Sequence, residues 1–551
     1  MKLNLFVLTL TIPLFCLGLN AQTTERAKPA EWRNLVFGGR FMDLFLPMQN
    51  NGKISSDTWG AENVVPRYTN NGIENRKWSF WCASIKHSGS KYHMFTAAWL
   101  ESSPKGHAAW PGSITFHAVS DKMDGPYVVK DTLGRGHNPE VYQLKDGRWV
   151  VYVIDGYYIS NDLNGPWFYK KFNFQNRDRG IIDGMSNLTF AQREDGTYLM
   201  INRGGGTWFS QTGDSTYYQV SEKSAYPAIR GEFEDPVVWR DNIQYHLIVN
   251  DWLGRIAYYL RSKDGLKWKQ ESGEAYTPGV SVHEDGKVEA WHKYERMRVL
   301  QDSYGRAIQA NFAVIDVEKV LDKANDNHSS KAICIPLTKG RLLTIVDKKP
   351  ISSDTRMIRV RIASEADFNP MTDIDFRSLR FGGSEQVNYG KGGKVLKTEA
   401  IGKDLVVTFD GTDHGIPADD YVAKLIGKTT GGKLLIGYAR LPGISFKEPI
   451  LSARLPIFSV EGQQFKTSIE IQNFGEVASK PAVLKLAYFR DGKEVVLPIA
   501  KFGDLKPFEK TTVNLNAGKD FEKGIAYDFI VTVNPGDRDE QLLHGKVSPN
   551  P

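Results

Sequence analysis

The sequence predicts an all-β protein, a five-bladed β-propeller followed by two β-sandwich (immunoglobulin-like) modules. Two observations support this fold class. A unit of short apolar strands separated by turn residues recurs with a period of about 50 residues, which is typical of propeller blades. Beyond it, apolar and polar residues alternate between Gly and Asp turns, which is typical of sandwiches. The 551 residues are too many for one hydrophobic core, so several domains are expected.

The repeat is clearest in two units that begin with a polar group and a proline. One begins with HNPE at residues 137–140 and the other with EDP at residues 234–236. Each continues into an apolar strand, a turn and a second apolar strand. The two units end alike, in SND at residues 160–162 and in SKDG at residues 262–265. Further strand pairs begin near Ser79, Ser186 and Tyr294, which gives five units.

The repeat sets the expected domain boundaries. Residues 1–21 are expected to be a signal peptide, residues 30–320 the propeller, residues 331–446 a β-sandwich and residues 450–551 an immunoglobulin-like β-sandwich. A polar stretch at residues 316–330 is interpreted as the linker after the propeller. Neither sandwich contains a group of residues that indicates chemistry, so the propeller is predicted to be the catalytic domain.

The N-terminus predicts export. Lys2 precedes an apolar stretch at residues 3–19 and a small-residue cleavage site before Gln22, as in secretory signals. No later stretch is apolar enough to span a membrane, so a soluble periplasmic or extracellular protein is expected. Only Cys82 and Cys334 would remain after cleavage, which argues against a disulfide framework. The net charge of +6 favours an anionic partner, and no nucleic-acid partner is indicated.

The polar groups at the blade starts supply the candidate site residues. In a propeller the first strand of each blade lines the central channel, so the starts of these strands meet at one rim. Acidic, His, Tyr and Arg residues recur at these positions, which predicts a ligand pocket there. The candidates, blade by blade, are Asp43 and Trp81; His137 and Glu140; Asn187 and Arg203; Glu234 and Asp235; and His292, Tyr294 and Arg296.

Four short motifs resemble the five-bladed propeller glycosidases, in particular relatives of glycoside hydrolase family 43. They are GHNPE at residues 136–140, GPW at 165–167, EDP at 234–236 and SKDG at 262–265. The resemblance implies a propeller and a saccharide ligand. It also implies an Asp base on the first blade, an Asp on the second and a Glu acid on the third, which suit an inverting mechanism.

The sequence departs from that family pattern at each of the three carboxylate positions. The first blade has Trp81 and Cys82 where the Asp base belongs, the second has Glu140 instead of Asp, and the third has Ser186 and Asn187 instead of Glu. A shifted carboxylate set remains open, namely Asp43, Glu140 and Glu234. With this set the protein would be an exo-acting glycoside hydrolase.

The remaining candidates suit β-elimination at a uronic acid, which is the main prediction. His137, His292 and Tyr294 could move protons, and Arg296 and Arg203 could hold the substrate carboxylate. Glu140, Glu234 and Asp235 would orient sugar hydroxyls. The remaining candidates are expected to bind the substrate, namely Asn187, Asp43 and Trp81.

The predicted activity is that of a dehydratase or polysaccharide lyase acting on anionic, uronate-containing oligosaccharides. The chain looks like the exported enzymes that bacteria use to degrade ulvan-like algal glycans. A non-catalytic glycan-binding propeller is a further alternative. No cofactor and no metal-ligating residues are predicted, although a structural Ca²⁺ could occupy the propeller channel.

Overall fold

The computed structural model describes residues 25–55, 65–519, 521–534 and 541–549. The predicted signal peptide lies outside these residues. Helices in the described part of the chain are few and short, and none has the length and apolar character needed to cross a membrane. Four are 3₁₀ helices and one is an α-helix: Ala30–Asn34, Phe41–Leu44, Gly106–Gly112, Lys319–Leu321 and, as the α-helix, Ser384–Asn388.

Short strands pair near the N-terminus, and five sheets, each a blade, follow in chain order. Their strands pair antiparallel except for one strand of blade 3. The N-terminal strands are β1 (Ile54–Ser55), β2 (Arg67–Tyr68) and β3 (Ile73–Glu74). Blade 1 contains β4 (Trp78–Ser88), β5 (Lys91–Leu100), β6 (Ile114–Ser120) and β7 (Val128–Arg135). Blade 2 contains β8 (Glu140–Gln143), β9 (Trp149–Val153), β10 (Gly156–Ser160) and β11 (Phe168–Lys171).

Blade 3 has an extra parallel strand, β12 (Phe174–Gln175), on its outer edge. Its other strands are β13 (Thr189–Gln192), β14 (Tyr198–Ile201), β15 (Thr207–Ser210) and β16 (Tyr217–Gln219). Blade 4 contains β17 (Phe233–Arg240), β18 (Tyr245–Asp251), β19 (Ile256–Ser262) and β20 (Lys269–Tyr276). Blade 5 contains β21 (Lys293–Gln301), β22 (Ala307–Ile315), β23 (Lys331–Pro336) and, at its edge, β3.

The first strands of the blades, β4, β8, β13, β17 and β21, face one another around an axis. The same position in three of these first strands carries a side chain that reaches the neighbouring blade. In each case the side chain accepts a hydrogen bond from a backbone N–H in the first strand of the following blade. These bonds run to Ser84 from Val141 at 3.0 Å, to Glu140 from Phe190 at 3.3 Å and to Thr189 from Val238 at 3.0 Å. The predicted all-β propeller is confirmed by this arrangement of sheets.

Each first strand has one residue with left-handed backbone, either within its first five residues or two residues before its start. The residues are Cys82 (φ 60°), Asn138 (φ 56°), Asn187 (φ 52°), Asp235 (φ 56°) and Arg296 (φ 52°). Asn and Asp tolerate this conformation because their short side chains can form local hydrogen bonds. The recurring polar groups in the sequence therefore mark a backbone feature that all five blades share.

Blade 5 is completed from both ends of the propeller segment. Strand β3 pairs with β23, and the Asn71 side chain donates to the Cys334 carbonyl at 2.8 Å and accepts from its amide at 2.9 Å. Residues 316–330, predicted as the linker between domains, instead join β22 to β23. The propeller therefore extends to Pro336, because the apolar run that was assigned to the following sandwich is the third strand of this blade.

Two β-sandwiches follow the propeller, as predicted. The first packs β24 (Leu343–Ile345), β25 (Met357–Ile362), β27 (Val395–Ile401) and β28 (Asp404–Asp410) against β26 (Ile374–Gly382), β29 (Val422–Thr429) and β30 (Leu434–Arg440). The second packs β31 (Leu451–Ala453), β32 (Ile457–Glu461), β33 (Gln464–Asn473) and β37 (Lys510–Gly518) against β34 (Ala482–Arg490), β35 (Lys493–Val496), β36 (Ala500–Phe502), β38 (Tyr527–Asn534) and β39 (Gln541–Val547).

Both sandwiches contact the propeller at turns between first and second strands. Arg306, after the turn of blade 5, pairs with Glu365 of the first sandwich at 2.7 Å. Arg193, at the turn of blade 3, donates to the Phe474 carbonyl of the second sandwich at 2.7 Å. These turns lie at the far end of the first strands from the left-handed residues, so these contacts leave the predicted rim uncovered.

Candidate functional site

Four predicted residues from three blades meet at the rim, and we call them the rim cluster: Asn187, Glu234, Asp235 and Arg296. The Asn187 amide nitrogen donates to Glu234 Oε1 at 2.7 Å and to Asp235 Oδ1 at 3.1 Å. Its amide oxygen accepts from Arg296 Nη2 at 2.7 Å. Arg296 Nη1 also lies 2.9 Å from Asp235 Oδ1. The left-handed backbone at Asn187, Asp235 and Arg296 brings these side chains together.

The rim cluster is accessible from one side only. The Asp235 side chain is 1% exposed, whereas that of Glu234 is 20% exposed. Arg203 extends this accessible side, with its Nε 3.9 Å from Glu234 Oε1 and 3.3 Å from Asp183 Oδ2. Asp183 is 60% exposed. A ligand entering from solvent therefore contacts Glu234, Arg203 and Asp183 before it can reach the buried Asp235 beneath them.

Burial sets the electrostatics of the cluster. Removal from water, together with the neighbouring Glu234 and Glu295 carboxylates, raises the pKa of Asp235 to about 7 despite the opposing effect of Arg296. Asp235 can therefore gain or lose a proton near neutral pH. A carboxyl group that titrates near neutral pH beside a partly exposed glutamate is typical of acid–base sites.

His137 lies on a different wall of the rim and is almost completely buried. Its Nδ1 is 2.9 Å from Ser113 Oγ, and its ring centroid is 4.9 Å from that of Trp110. Burial, and next the positive charge of Arg296, hold the His137 pKa well below its usual value. The imidazole is therefore neutral at physiological pH.

This wall is completed by Lys319, which the sequence analysis missed, and by Glu295, one of the polar residues at the start of blade 5. Lys319 Nζ lies 2.6 Å from Glu295 Oε2 and 5.5 Å from the centre of the Trp81 ring. Although burial alone would raise the Glu295 pKa, Lys319 and Lys293 hold it below its usual value. Trp81 itself is buried against His107 and Trp99. Lys319 belongs to the stretch interpreted as a linker, which hid its place at the rim.

Glu140 lies deeper, in the middle of the channel, where Arg298 spans several blades. Arg298 Nε is 3.2 Å from Glu140 Oε2, and its other nitrogens donate to the carbonyls of Leu188 at 3.2 Å and Pro236 at 3.4 Å. Glu140 also accepts from the Tyr142 hydroxyl at 2.8 Å, and burial raises its pKa. The guanidinium at the centre disfavours the Ca²⁺ that was considered for the channel, because like charges repel.

Three other predicted residues have their contacts outside the rim cluster. The Tyr294 hydroxyl donates to Ser281 Oγ at 2.9 Å inside the packed interior of blade 5. His292 Nε2 lies 3.1 Å from Glu318 Oε1. Asp43 accepts two backbone amides at the start of the short helix that contains it. The structure thus provides no convergent set of His137, His292 and Tyr294.

Comparison with known proteins gives only distant similarities. No family model matches the chain, and no curated protein matches it. Among solved structures, a family 117 glycoside hydrolase of the marine bacterium Zobellia galactanivorans is 10% identical, with 53% of this chain and 89% of that chain covered and a TM-score of 0.36.

Two further solved structures are similar to the same extent. The endo-arabinase of Bacteroides thetaiotaomicron is 11% identical, with 48% of this chain and 96% of that chain covered and a TM-score of 0.31. A glycoside hydrolase of family 130, described as targeting β-1,2-mannosidic linkages in Candida mannan, is 13% identical, with 53% and 95% covered and a TM-score of 0.34. At these scores the similarity identifies neither a family nor an activity.

Proposed function

We propose that the chain is a carbohydrate-active enzyme of the glycoside hydrolase type, with its active site at the propeller rim. The observation that carries this proposal is that two accessible carboxylates, Glu234 and Asp183, lie at the same nitrogen of Arg203, with buried Asp235 beneath Glu234. Glycoside hydrolysis needs one carboxyl group that can donate a proton and a second carboxylate nearby. The rim supplies acidic groups in both accessible and buried positions.

The second carboxylate in this proposal is Asp183. Its Oδ2 and Glu234 Oε1 lie 3.3 Å and 3.9 Å from the same nitrogen, Arg203 Nε. The two oxygens are therefore no further apart than the sum of these distances. That limit admits the separation in retaining enzymes, about 5–5.5 Å, and the lower end of the range in inverting enzymes, about 6.5–9.5 Å.

The residues then have distinct roles. Glu234 donates the proton to the glycosidic oxygen, and Asp183 activates water or attacks the sugar. Asp235 is a positioning residue, since it is buried beneath Glu234 and acts through the Asn187 amide and through its charge. Arg203 turns from the two carboxylates to the substrate when the substrate enters.

An anionic substrate is the finer part of the proposal. Arg203 and Lys319 both present partly exposed positive charges at the rim, and the chain as a whole is basic. Arginine binds carboxylates and sulfates through two parallel hydrogen bonds. Together with the apolar segment after Lys2, this suggests an enzyme that acts on acidic glycans in the periplasm or outside the cell.

β-Elimination at a uronic acid is the second candidate, and one observation favours it. His137 is held neutral by burial and by the positive charge of Arg296, and a neutral imidazole can remove the proton next to a carboxylate that a guanidinium binds. Its predicted partners His292 and Tyr294 make their contacts elsewhere, so this mechanism has one positioned proton-transfer group where two are needed.

One experiment separates these candidates. The purified mature protein is incubated with neutral and uronate-containing oligosaccharides, and the products are followed by mass spectrometry and ultraviolet absorbance. Shortening by addition of water without new absorbance is expected. Absorbance from an unsaturated uronate would instead establish elimination, and its loss in His137→Gln would assign that residue. Retention of unchanged oligosaccharide would indicate a binding propeller.

A further inference from the structure

A second group of carboxylates lies outside the channel, between blade 1 and the stretch that joins β22 to β23. Single oxygens of Glu101, Asp322 and Asp326 all lie within 4.8 Å of one another. Glu101 and Asp322 are 2% and 4% exposed, so solvent screens their repulsion poorly. Three carboxylates at this spacing all stay ionised only with a compensating positive charge; otherwise one of them holds a proton.

The protein supplies little of that charge. Glu101 accepts from the Ser79 hydroxyl and from the Asn327 backbone at 2.6 Å, and Asp322 Oδ2 accepts from Ser329 Oγ at 2.8 Å. These donors are neutral and fix the orientation of the carboxylates. The charged group beside them is His328, whose Nε2 is 3.8 Å from Asp326 while its Nδ1 is 2.5 Å from Asp316.

Two buried oxygens at this place accept no hydrogen bond from a donor among the described residues, and Asp322 can bond to Asp326 only when one of the two carboxyls is protonated. They are Asp322 Oδ1 and the side-chain oxygen of Asn327, and both residues are more than nine-tenths buried. The Asn327 backbone N–H donates to Glu101, so this residue adjoins the carboxylates. Such orphaned buried acceptors are costly unless an unseen group binds them.

We propose that Glu101, Asp322, Asp326 and Asn327 form a Ca²⁺-binding site. Carboxylate and amide oxygens are the ligands that Ca²⁺ prefers, and it takes 6–8 of them at about 2.3–2.6 Å. The four side chains would provide part of this shell and water or backbone carbonyls the remainder. The irregular loop favours Ca²⁺ over Mg²⁺, since Mg²⁺ requires near-octahedral geometry and holds its water more tightly.

The location of the site gives the cation a structural task. Glu101 precedes the helix Gly106–Gly112, which carries His107 and Trp110, and Asp322 follows the helix that begins with Lys319. The two segments touch at Gly106 (φ 52°), where an added Cβ would lie only 1.9 Å from the Asp322 carbonyl oxygen. A cation bridging Glu101 to Asp322 would therefore fix one wall of the rim from outside the channel.

The test uses the full mature chain, freed of metal with EDTA and then dialysed. Titration with CaCl₂ in a calorimeter is expected to show one strong site with Kd below about 1 mM. In 5 mM CaCl₂ the Tm should rise by roughly 3–8 °C relative to EDTA. Absence of both effects would overturn the proposal, and so would an equal Tm rise with MgCl₂, which would contradict the assignment to Ca²⁺.

Variants locate the site. Asp322→Asn/Asp326→Asn should abolish Ca²⁺ binding, whereas Asp121→Asn, a change at a side chain that is 79% exposed, should leave it intact. Asn327→Gly is the milder variant, because glycine accepts the left-handed backbone at this residue (φ 62°). It should lower Ca²⁺ affinity roughly tenfold. Full-affinity binding by a folded Asp322→Asn/Asp326→Asn protein would place the cation elsewhere and overturn the assignment.

Discussion

Asn187 and Arg296 belong to blades 3 and 5, yet the Arg296 guanidinium donates to the Asn187 amide oxygen at 2.7 Å. This bond fixes the direction in which the amide points, because its oxygen then faces Arg296 and its nitrogen faces Glu234 and Asp235. The amide thus links the cation to both carboxylates, in addition to the direct contact between Arg296 and Asp235. Its removal should disturb the site without disturbing the blade interiors.

Replacing Asn187 by glycine tests this hydrogen-bonded link. Glycine keeps the left-handed backbone accessible, so the change removes mainly the side-chain hydrogen bonds. Hydrogen bonds to charged groups contribute about 1.5–3 kcal/mol, which predicts a loss of roughly 10–150-fold in kcat/KM on the active glycan. Asn138→Gly is the matched control, since Asn138 holds the equivalent position in blade 2 and its side-chain atoms make no hydrogen bond in the described residues. Equal losses of kcat/KM in both variants would argue against a role for the Asn187 side chain in linking Arg296 to the carboxylates.

Glu234→Gln should remove the proton donor while keeping the size of the side chain and its bond from Asn187. Acid–base groups contribute about 10²–10⁴-fold to rate, so kcat should fall by that factor while the Tm changes little. Glu284→Gln, at an exposed position, serves as the control. If Glu234→Gln keeps at least half of the wild-type kcat, the hydrolase proposal loses its acid.

Asp235→Asn should change how stability depends on pH. The folded-state pKa of about 7 lies above the value of about 3.9 for an unfolded aspartate. Between these values the folded protein binds more protons than the unfolded chain, so this carboxyl makes stability fall as pH rises. In urea unfolding series from pH 4 to pH 7, the variant should therefore lose less stability than the wild type. Parallel wild-type and variant curves would show that Asp235 is ionised throughout.

The Arg298–Glu140 pair should be strongly coupled. Arg298→Met or Glu140→Gln alone leaves one buried charge without its partner, which costs about 3–5 kcal/mol. The double variant leaves neither, so its loss of unfolding free energy should be smaller than the sum of the two single losses by about 1–3 kcal/mol. The free energy of unfolding of the wild type and the three variants is measured by circular dichroism during urea unfolding. Additive losses would mean that each residue is held by its other contacts rather than by this ion pair.

The sequence was sufficient to find the rim because the left-handed positions select polar residues. Asn187 and Asp235 stand out in otherwise apolar strand starts, and their period predicts that they converge. The same reasoning could not separate Arg296 from Tyr294, two residues earlier. A register shift in β21 between Glu295 and Arg298 changes which side chains reach the axis. The amino-acid pattern does not predict this shift.

Other parts of the site depend on contacts between distant segments. Lys319 reaches the rim because residues 316–330 leave blade 5 and return as β23, whereas polar composition alone indicates a linker. The role of Glu140 was hidden for a related reason. Its partner Arg298 comes from another blade, and no local pattern predicts that a guanidinium fills the centre of the channel.

The pairing of β3 with β23 also determines when the propeller can be completed. Asn71 and Cys334, which hold the two ends together, are 263 residues apart. At synthesis rates of about 5–20 residues per second, the first segment exists for tens of seconds before its partner is made. The propeller ring is therefore closed last, when the N-terminal strand β3 pairs with the newly made β23. A protein interrupted anywhere in blade 5 would leave uncovered the apolar faces of blades 1 and 4 that normally pack against this blade. Exposed apolar faces of this kind favour association with other chains.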